Sequence, residues 1–374
     1  MLKRNLWPLA LLAFSQSVLA IEPPNAGTQL QQIPPSPMPQ KLPPQISLVP
    51  SQAAVAPETD EIKVSVQRIQ ISGMQAYAEA DLLKQIPFNP NSQLSLAELR
   101  AMAAKIATYY HNNGYFVAQA YLPAQEINNG VVKIAVIEGQ YGKVIVRNPT
   151  NLSNRLVENQ LEGINSGDAI TSVPLEHRLL LLSDIAGVKI NSTLAPGATV
   201  GTSDLIVDVA PAARVNGSID ADNAGNRYTG ENRLGATINV NNLAGQGDVA
   251  SLRLLTSAEG LNYARAAYQL QVAKATVGAA YSWLDYELGE EFASLDASGN
   301  AKIASVYGRY PLMRSRNNNL YADILYENKV LQDKIGITNT VTDKKINALT
   351  AALRGDYADN WAGGGFNRDR KSVV

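Results

Sequence analysis

Beyond Pro211 the chain settles into long segments in which apolar and polar residues alternate strictly. Val215, Gly217, Ile219 and Ala221 alternate with Asn216, Ser218, Asp220 and Asp222, and Leu234, Ala236, Ile238 and Val240 with Gly235, Thr237, Asn239 and Asn241. Ala264, Ala266, Tyr268, Leu270 and Val272 alternate likewise with Arg265, Ala267, Gln269 and Gln271, and Leu320, Ala322, Ile324 and Tyr326 with Tyr321, Asp323, Leu325 and Glu327. A period of two belongs to the β-strand, whose successive side chains point to opposite faces. The result is an antiparallel sheet with one apolar and one polar face. Two architectures satisfy it: a soluble sandwich, or a membrane barrel whose outside meets lipid and whose inside meets water.

Connection lengths favour the barrel. They are short at residues 242–246, 273–274 and 313–318 and longer at 223–230, 289–300 and 331–343, with 258–260 the exception. Periplasmic turns and surface loops alternate in this way. Tyr281, Trp283, Tyr307, Tyr310 and Tyr321 fall near strand ends, where girdle aromatics belong. The reading gives about eight strands up to Tyr357, with Trp361 at the start of another. The basic run Asn367 to Val374 offers no closing strand with a final aromatic, so the transmembrane antiparallel β-barrel over 212–374 is expected to be incomplete.

The N-terminus gives the compartment. Lys3 and Arg4, an apolar run from Leu6 to Phe14 and Val18-Leu19-Ala20 make residues 1–20 a secretory signal, far shorter than the roughly 20 apolar residues of a spanning helix. Cysteine is absent, which excludes disulfides and thiolate chemistry. Residues 21–60 are rich in Pro and Gln, as in Ile33-Pro34-Pro35-Ser36-Pro37, and read as an extended linker.

Between linker and barrel one order of elements occurs twice, as α+β modules over 61–139 and 140–211. The first has a strand at Val64 to Ile71, a helix at Ala78 to Gln85, a longer helix from Ser95 to about Asn113, then strands at Phe116 to Leu122 and Val131 to Glu138. Leu99, Met102, Ala103, Ile106 and Tyr110 recur at helical spacing, Ser95 and Glu98 form a capping box, and Gly114 ends the helix. The second repeats β-α-α-β-β with Lys143 to Arg147, Arg155 to Leu161, Pro174 to Ile185, Val188 to Leu194 and Asp204 to Val209.

Several functions are disfavoured. A formal net charge of -1 supplies no attraction for nucleic acid, and no Gly-rich loop precedes Lys-Ser or Lys-Thr, so no nucleotide site is legible. His111 and His177 lie in different modules, and no Ser-His-Asp set is present, so neither catalytic residues nor enzymatic activity are expected. Asp220 and Asp222 share a face, but a polar lumen accounts for them without metal or acid-base work. No cofactor and no metal are expected.

Four stretches carry a resemblance: Val66-Gln67-Arg68-Ile69-Gln70-Ile71-Ser72-Gly73, Tyr115-Phe116-Val117-Ala118, Val136-Ile137-Glu138-Gly139, and Asp222-Asn223-Ala224-Gly225 with Thr229-Gly230. Asn241-Asn242-Leu243-Ala244-Gly245-Gln246-Gly247-Asp248 joins them. In this order they resemble the two-partner secretion transporters, the hemolysin secretion/activation proteins (ShlB/FhaC/HecB) of the Omp85 superfamily, whose POTRA modules precede a barrel. The resemblance implies an outer-membrane transporter, modules in the periplasm, that captures a large unfolded exoprotein and exports it through the barrel, in contact with outer-membrane lipid and without a nucleotide. The family's inward-folding loop and final strands would lie beyond Val374. Some members carry a pore-plugging helix before the linker, and the Pro-rich stretch after Ala20 shows none. An Omp85-type assembly factor is the alternative, for which more tandem modules are expected.

Capture of an unfolded chain calls for a free sheet edge, which pairs with it by β-augmentation. The strand after the long helix is the expected edge in each module. That selects Val117, Ala118, Gln119, Ala120, Tyr121 and Leu122 in the first and Val188 and Ile190, within Val188 to Leu194, in the second. Leu179, Leu180 and Leu182 are expected to line the groove or to belong to the core.

Overall fold

The computed structural model describes residues 23–34, 45–48, 63–359 and 365–373; the expected signal, most of the linker and Trp361 lie outside them. Two elements precede the modules, the helix α1 (Ala26–Gln31) and the strand β1 (Gln45–Leu48). Both depart from the extended linker expected there. Each occupies a Pro-free window, between Pro24 and Pro34 and between Pro44 and Pro50. The helix starts in a capping box in which the Asn25 side chain accepts from Gly27 and Thr28 N–H and Thr28 Oγ1 returns to the Asn25 backbone.

The first module comprises β2 (Lys63–Val66), β3 (Arg68–Ser72), α2 (Glu79–Leu83), β4 (Ser92–Ser95), α3 (Leu96–Asn112), β5 (Gln119–Tyr121) and β6 (Val131–Ile137). The expected opening strand is broken at Gln67: β2 pairs with β4, which the sequence reading missed, while β3 runs parallel to β6. Strand β5 closes the sheet in the order β3-β6-β5. Ile69, Ile71, Val132, Ile134 and Val136 alternate inward and meet Leu99, Met102, Ala103, Ile106 and Tyr110 of α3, the stripe that the helical spacing selects.

The second module follows without a spacer: β7 (Gln140–Arg147), α4 (Asn154–Leu161), α5 (Ser172–Ser183), β8 (Val188–Pro196) and β9 (Thr202–Pro211). Its sheet has the order β1-β8-β9-β7, so the segment Gln45–Leu48 lies parallel on the outer edge of β8, Gln45 beside Asn191 and Leu48 beside Leu194.

From Val215 on, nine strands pair antiparallel with their chain neighbours: β10 (Val215–Asp222), β11 (Arg233–Asn241), β12 (Val249–Thr256), β13 (Leu261–Val272), β14 (Ala275–Glu287), β15 (Ala297–Arg314), β16 (Asn318–Ile335), β17 (Thr340–Asp359) and β18 (Gly365–Val373). The sheet is an open section of a β-barrel with β10 and β18 at its edges. Its two faces differ as the alternation requires: on β10 and β11, Ile219 is 81% and Leu234 55% exposed, while Arg233 on the other face is 7% exposed. The basic run Asn367 to Val373 belongs to β18, whose last residues carry no aromatic. The expected loop at 331–343 is instead the ends of β16 and β17 joined by a tight turn at 336–339. Tyr281, Trp283 and Tyr310 lie on the exposed outer face, but Tyr307 and Tyr321 fall on the inner parity. The Tyr307 hydroxyl meets Gln269 Oε1 at 3.3 Å and its ring lies where a Cβ on Gly278 would stand, while the Arg309 guanidinium lies 5.5 Å from the Tyr321 ring centre.

Candidate functional site

The second module is gripped by three turns at the end of the sheet where β10 enters. In the turn at 242–248, Asp248 accepts the N–H groups of Leu243, Ala244 and Gln246 at 3.0, 3.0 and 3.2 Å. Burial opposes its charge, but these donors outweigh burial and hold the carboxyl below its ordinary range. The turn so fixed meets the module: Asn242 Nδ2 donates to Asn151 Oδ1 at 2.8 Å, Asn151 Nδ2 donates to the Asn242 carbonyl at 3.0 Å, and Ser153 N–H to the Gly245 carbonyl at 2.8 Å. Gln160 donates to the Ala273 carbonyl of the next turn. At the third, Arg314 forks onto Asp184 (2.8 and 3.0 Å), Arg316 pairs with Glu176, and His177 Nδ1 lies 2.9 Å from the Arg314 carbonyl. A carbonyl only accepts, so that nitrogen carries the proton. This clasp between α5 and the sheet joins residues more than a hundred positions apart, and no local pattern in the sequence announces it.

Two of the motifs form the joint between the modules. Glu138 is 9% exposed, and its Oε1 accepts from Gln75 N–H at 2.7 Å, Ala76 N–H at 2.8 Å and Tyr110 O–H at 2.8 Å. Burial first, and then this bond to a carboxylate, push the Tyr110 phenol well above its ordinary range. Gly139 takes φ +83°, and a Cβ there would stand 2.4 Å from Val117 Cγ2. Phe116 and Val117 therefore pack against the second module's core, while Ala118 belongs to the first. His111 stands at the end of α3 as expected, with Nε2 2.8 Å from the Ala118 carbonyl.

At the far end of the sheet, α1 lies on the inner face. Ala26 N–H donates to Asp333 Oδ1 at 2.8 Å, the same oxygen that accepts the Tyr286 hydroxyl at 2.7 Å, and Arg233 Nη1 donates to the Gln32 carbonyl at 2.8 Å. Ala26, with Leu30 and Ile33, packs on Leu255, Leu284, Leu288 and Leu331. Below it the wall is ionic: Arg253 forks onto Asp220 (3.0 and 3.0 Å) and Arg233 holds Asp222 at 2.7 Å. The two carboxylates that share a face are each paired with an arginine.

The edge residues divide. Gln119, Ala120 and Tyr121 form β5, only three residues long, with Tyr121 45% exposed at the open edge of the first sheet. Val117 and Ala118 precede the strand in the intermodule joint, and Leu122 packs on the first core. Val188 and Ile190 lie on β8 with side chains turned into the second core, and the strand's second half is covered by β1. Leu179 and Leu182 are fully buried. They are core because β8 and β9 pack directly on α5, leaving no groove between.

Residues 64–139 match the ShlB-type POTRA domain, and residues 201–353 match the haemolysin secretion/activation protein ShlB/FhaC/HecB. The heme/hemopexin transporter protein HuxB of Haemophilus influenzae (strain 86-028NP) is 31% identical over 353 residues, 92% of this chain and 62% of HuxB. The outer membrane transporter CdiB of Escherichia coli O6:K15:H31 is 25% identical over 228 residues, 59% of this chain and 38% of CdiB. The structure of CdiB from Escherichia coli superposes with a TM-score of 0.61 at 18% identity, over 89% of this chain and 62% of that one, a likeness of fold. The chain thus spans about 62% of the length of HuxB.

Proposed function

Because this chain belongs, through both of its matched domains, to the ShlB/FhaC/HecB family of outer-membrane proteins with periplasmic POTRA modules, we propose that it is the greater part of a transporter that binds one large unfolded exoprotein in the periplasm and passes it outward through the completed barrel. The second module, with the same β-α-α-β-β order as the first, acts as a second POTRA domain. No nucleotide drives the step; folding of the cargo outside draws it through.

The observation that carries the reading is the strand β1 on β8. An extended stretch of chain is held there in parallel register by strand pairing, Gln45–Leu48 against Asn191–Leu194. An unfolded cargo presents the same donors and acceptors. The open edge of β5, beside exposed Tyr121, receives cargo first, and a cargo strand reaching β8 displaces β1. A photo-crosslinking residue at Gln119 or Tyr121 of the full-length transporter tests this. Adducts to the exoprotein during secretion are expected there and absent from an exposed position on α2 such as Asp81; equal labelling at both would sink the reading.

A further inference from the structure

The outer face of the sheet carries a groove and two cations that export does not explain. Pairing register aligns one row across seven strands: Ala236, Leu254, Ala264, Trp283, Lys302, Val330 and Lys345 lie side by side from β11 to β17. All are on the outward parity, with Leu254 50% and Trp283 37% exposed. On the first four strands the row lines a cavity of about 470 Å³, floored by Ala236 and Ala264 and walled by Leu234, Leu254 and Trp283.

The row lies in the half of the sheet remote from the periplasmic modules, since Lys302 is near the start of β15 and the clasp with α5 is at its end. Towards the modules the adjoining rows stay apolar or aromatic on β12 to β15, with Leu252, Ala266, Tyr281 and Ala304, then Tyr268, Ala279 and Val306. Away from them the next row is polar, with Thr256, Asn262, Asp285, Asn300, Gln332 and Asp343. Lys302 therefore stands where the apolar belt of β12 to β15 ends, and Lys345 lies level with it on β17, one row out from Asn328 and Asn347. Both lysines are exposed, and among the described residues neither has a carboxylate within ion-pair distance. Asp285 and Asp343 are one row further out, and Asp343 already accepts from Gln332 at 2.9 Å. A single strand separates the two lysines, which places their backbones about 10 Å apart.

We propose that this face is a binding site for an outer-leaflet glycolipid bearing two phosphates. An acyl chain lies over Ala236 and Ala264 against Leu254 and Trp283, and Lys302 and Lys345 hold the phosphates. The groove supplies apolar contact without charge; the lysines supply charge where a headgroup begins. Together they select an acylated, doubly phosphorylated lipid over a zwitterionic one.

Native mass spectrometry of the purified protein with added lipid A, its dephosphorylated form and phosphatidylethanolamine tests the site. One lipid A is expected to be retained, with K302Q/K345Q weakening retention roughly 10- to 30-fold, the scale of removing two surface cations. K302R/K345R restores it, which separates charge from folding, and A264L lowers retention while the phosphate preference persists. The control pair K274Q/K371Q, away from this row, leaves it unchanged. Retention indifferent to K302Q/K345Q, an equal loss in K274Q/K371Q, equal binding of the dephosphorylated lipid, or no effect of A264L would each overturn the proposal.

Discussion

Glu138→Ala is expected to be among the most damaging single changes in the periplasmic half. All three bonds to this carboxylate converge on Oε1, from Gln75 N–H at 2.7 Å, Ala76 N–H at 2.8 Å and Tyr110 O–H at 2.8 Å. Alanine leaves two amides and a fully buried phenol without an acceptor. A buried donor left unsatisfied costs about 1–3 kcal/mol, and water reaches the two part-buried amides, so the loss falls at about 3–5 kcal/mol. Glu138→Gln keeps an oxygen at the same place and loses only the charge assistance, about 1 kcal/mol. The two-module region has a core in each module, so urea unfolding of residues 61–211 followed by far-ultraviolet circular dichroism measures both values. A Glu138→Ala protein within about 1 kcal/mol of the parent would refute the geometry. Equal damage from glutamine would show that the charge, not the acceptor, matters.

Tyr110 is neutral in the folded state and its phenol is held above the ordinary value, so folding loses stability as pH rises beyond about 10, by roughly 1.4 kcal/mol per pH unit until the folded phenol ionises. Tyr110→Phe is expected to reduce that slope, and an unchanged slope would contradict the assignment. Ser47→Cys with Thr193→Cys, in a chain that has no other cysteine, joins β1 to β8. Secretion by the full-length transporter should fall at least tenfold under oxidation and recover with reductant, by analogy with a paired strand that cannot be displaced; full secretion when oxidised argues against displacement. Arg314→Ala with Arg316→Ala releases α5 from the turn at 315–317, which should raise amide hydrogen exchange in α5 with little change in the core of the second module, whereas an unaltered exchange pattern would show that the clasp holds nothing.

How far the sequence could be read depends on where each element gets its stability. Helix α3 is 17 residues long and carries its own capping box and apolar stripe, so periodicity located it nearly to the residue. The strands β10, β11, β13 and β16 set apolar against polar residues on their two faces, and alternation identified them. The aromatic residues Tyr307 and Tyr321 were misplaced because a girdle position and an inner position differ by one step of the same strand; counting parity from Ile324 would have turned Tyr321 inward. The clasp of Glu176, His177 and Asp184 on Arg314 and Arg316 exists only once the chain is folded.

Besides the short β4, the elements missed altogether are α1 and β1, and the reason for these two bears on mechanism. A helix of six residues does not persist alone in water, and a four-residue strand has no meaning without a neighbour. What stabilises them is borrowed: the Asp333 and Arg233 bonds and a leucine patch for α1, the edge of β8 for β1. Their sequence shows only a gap between prolines and an Asn-Ala-Gly-Thr cap, because little more is needed to dock. The same borrowing sets the cost of release. Detaching either segment sacrifices a few hydrogen bonds and, for α1, the packing of Ala26, Leu30 and Ile33 on the leucine patch, while removing α3 or β6 would unfold a module. In the proposed transporter, the segments that occupy the lumen face and the β8 edge are therefore the ones that the physics leaves free to give way to cargo.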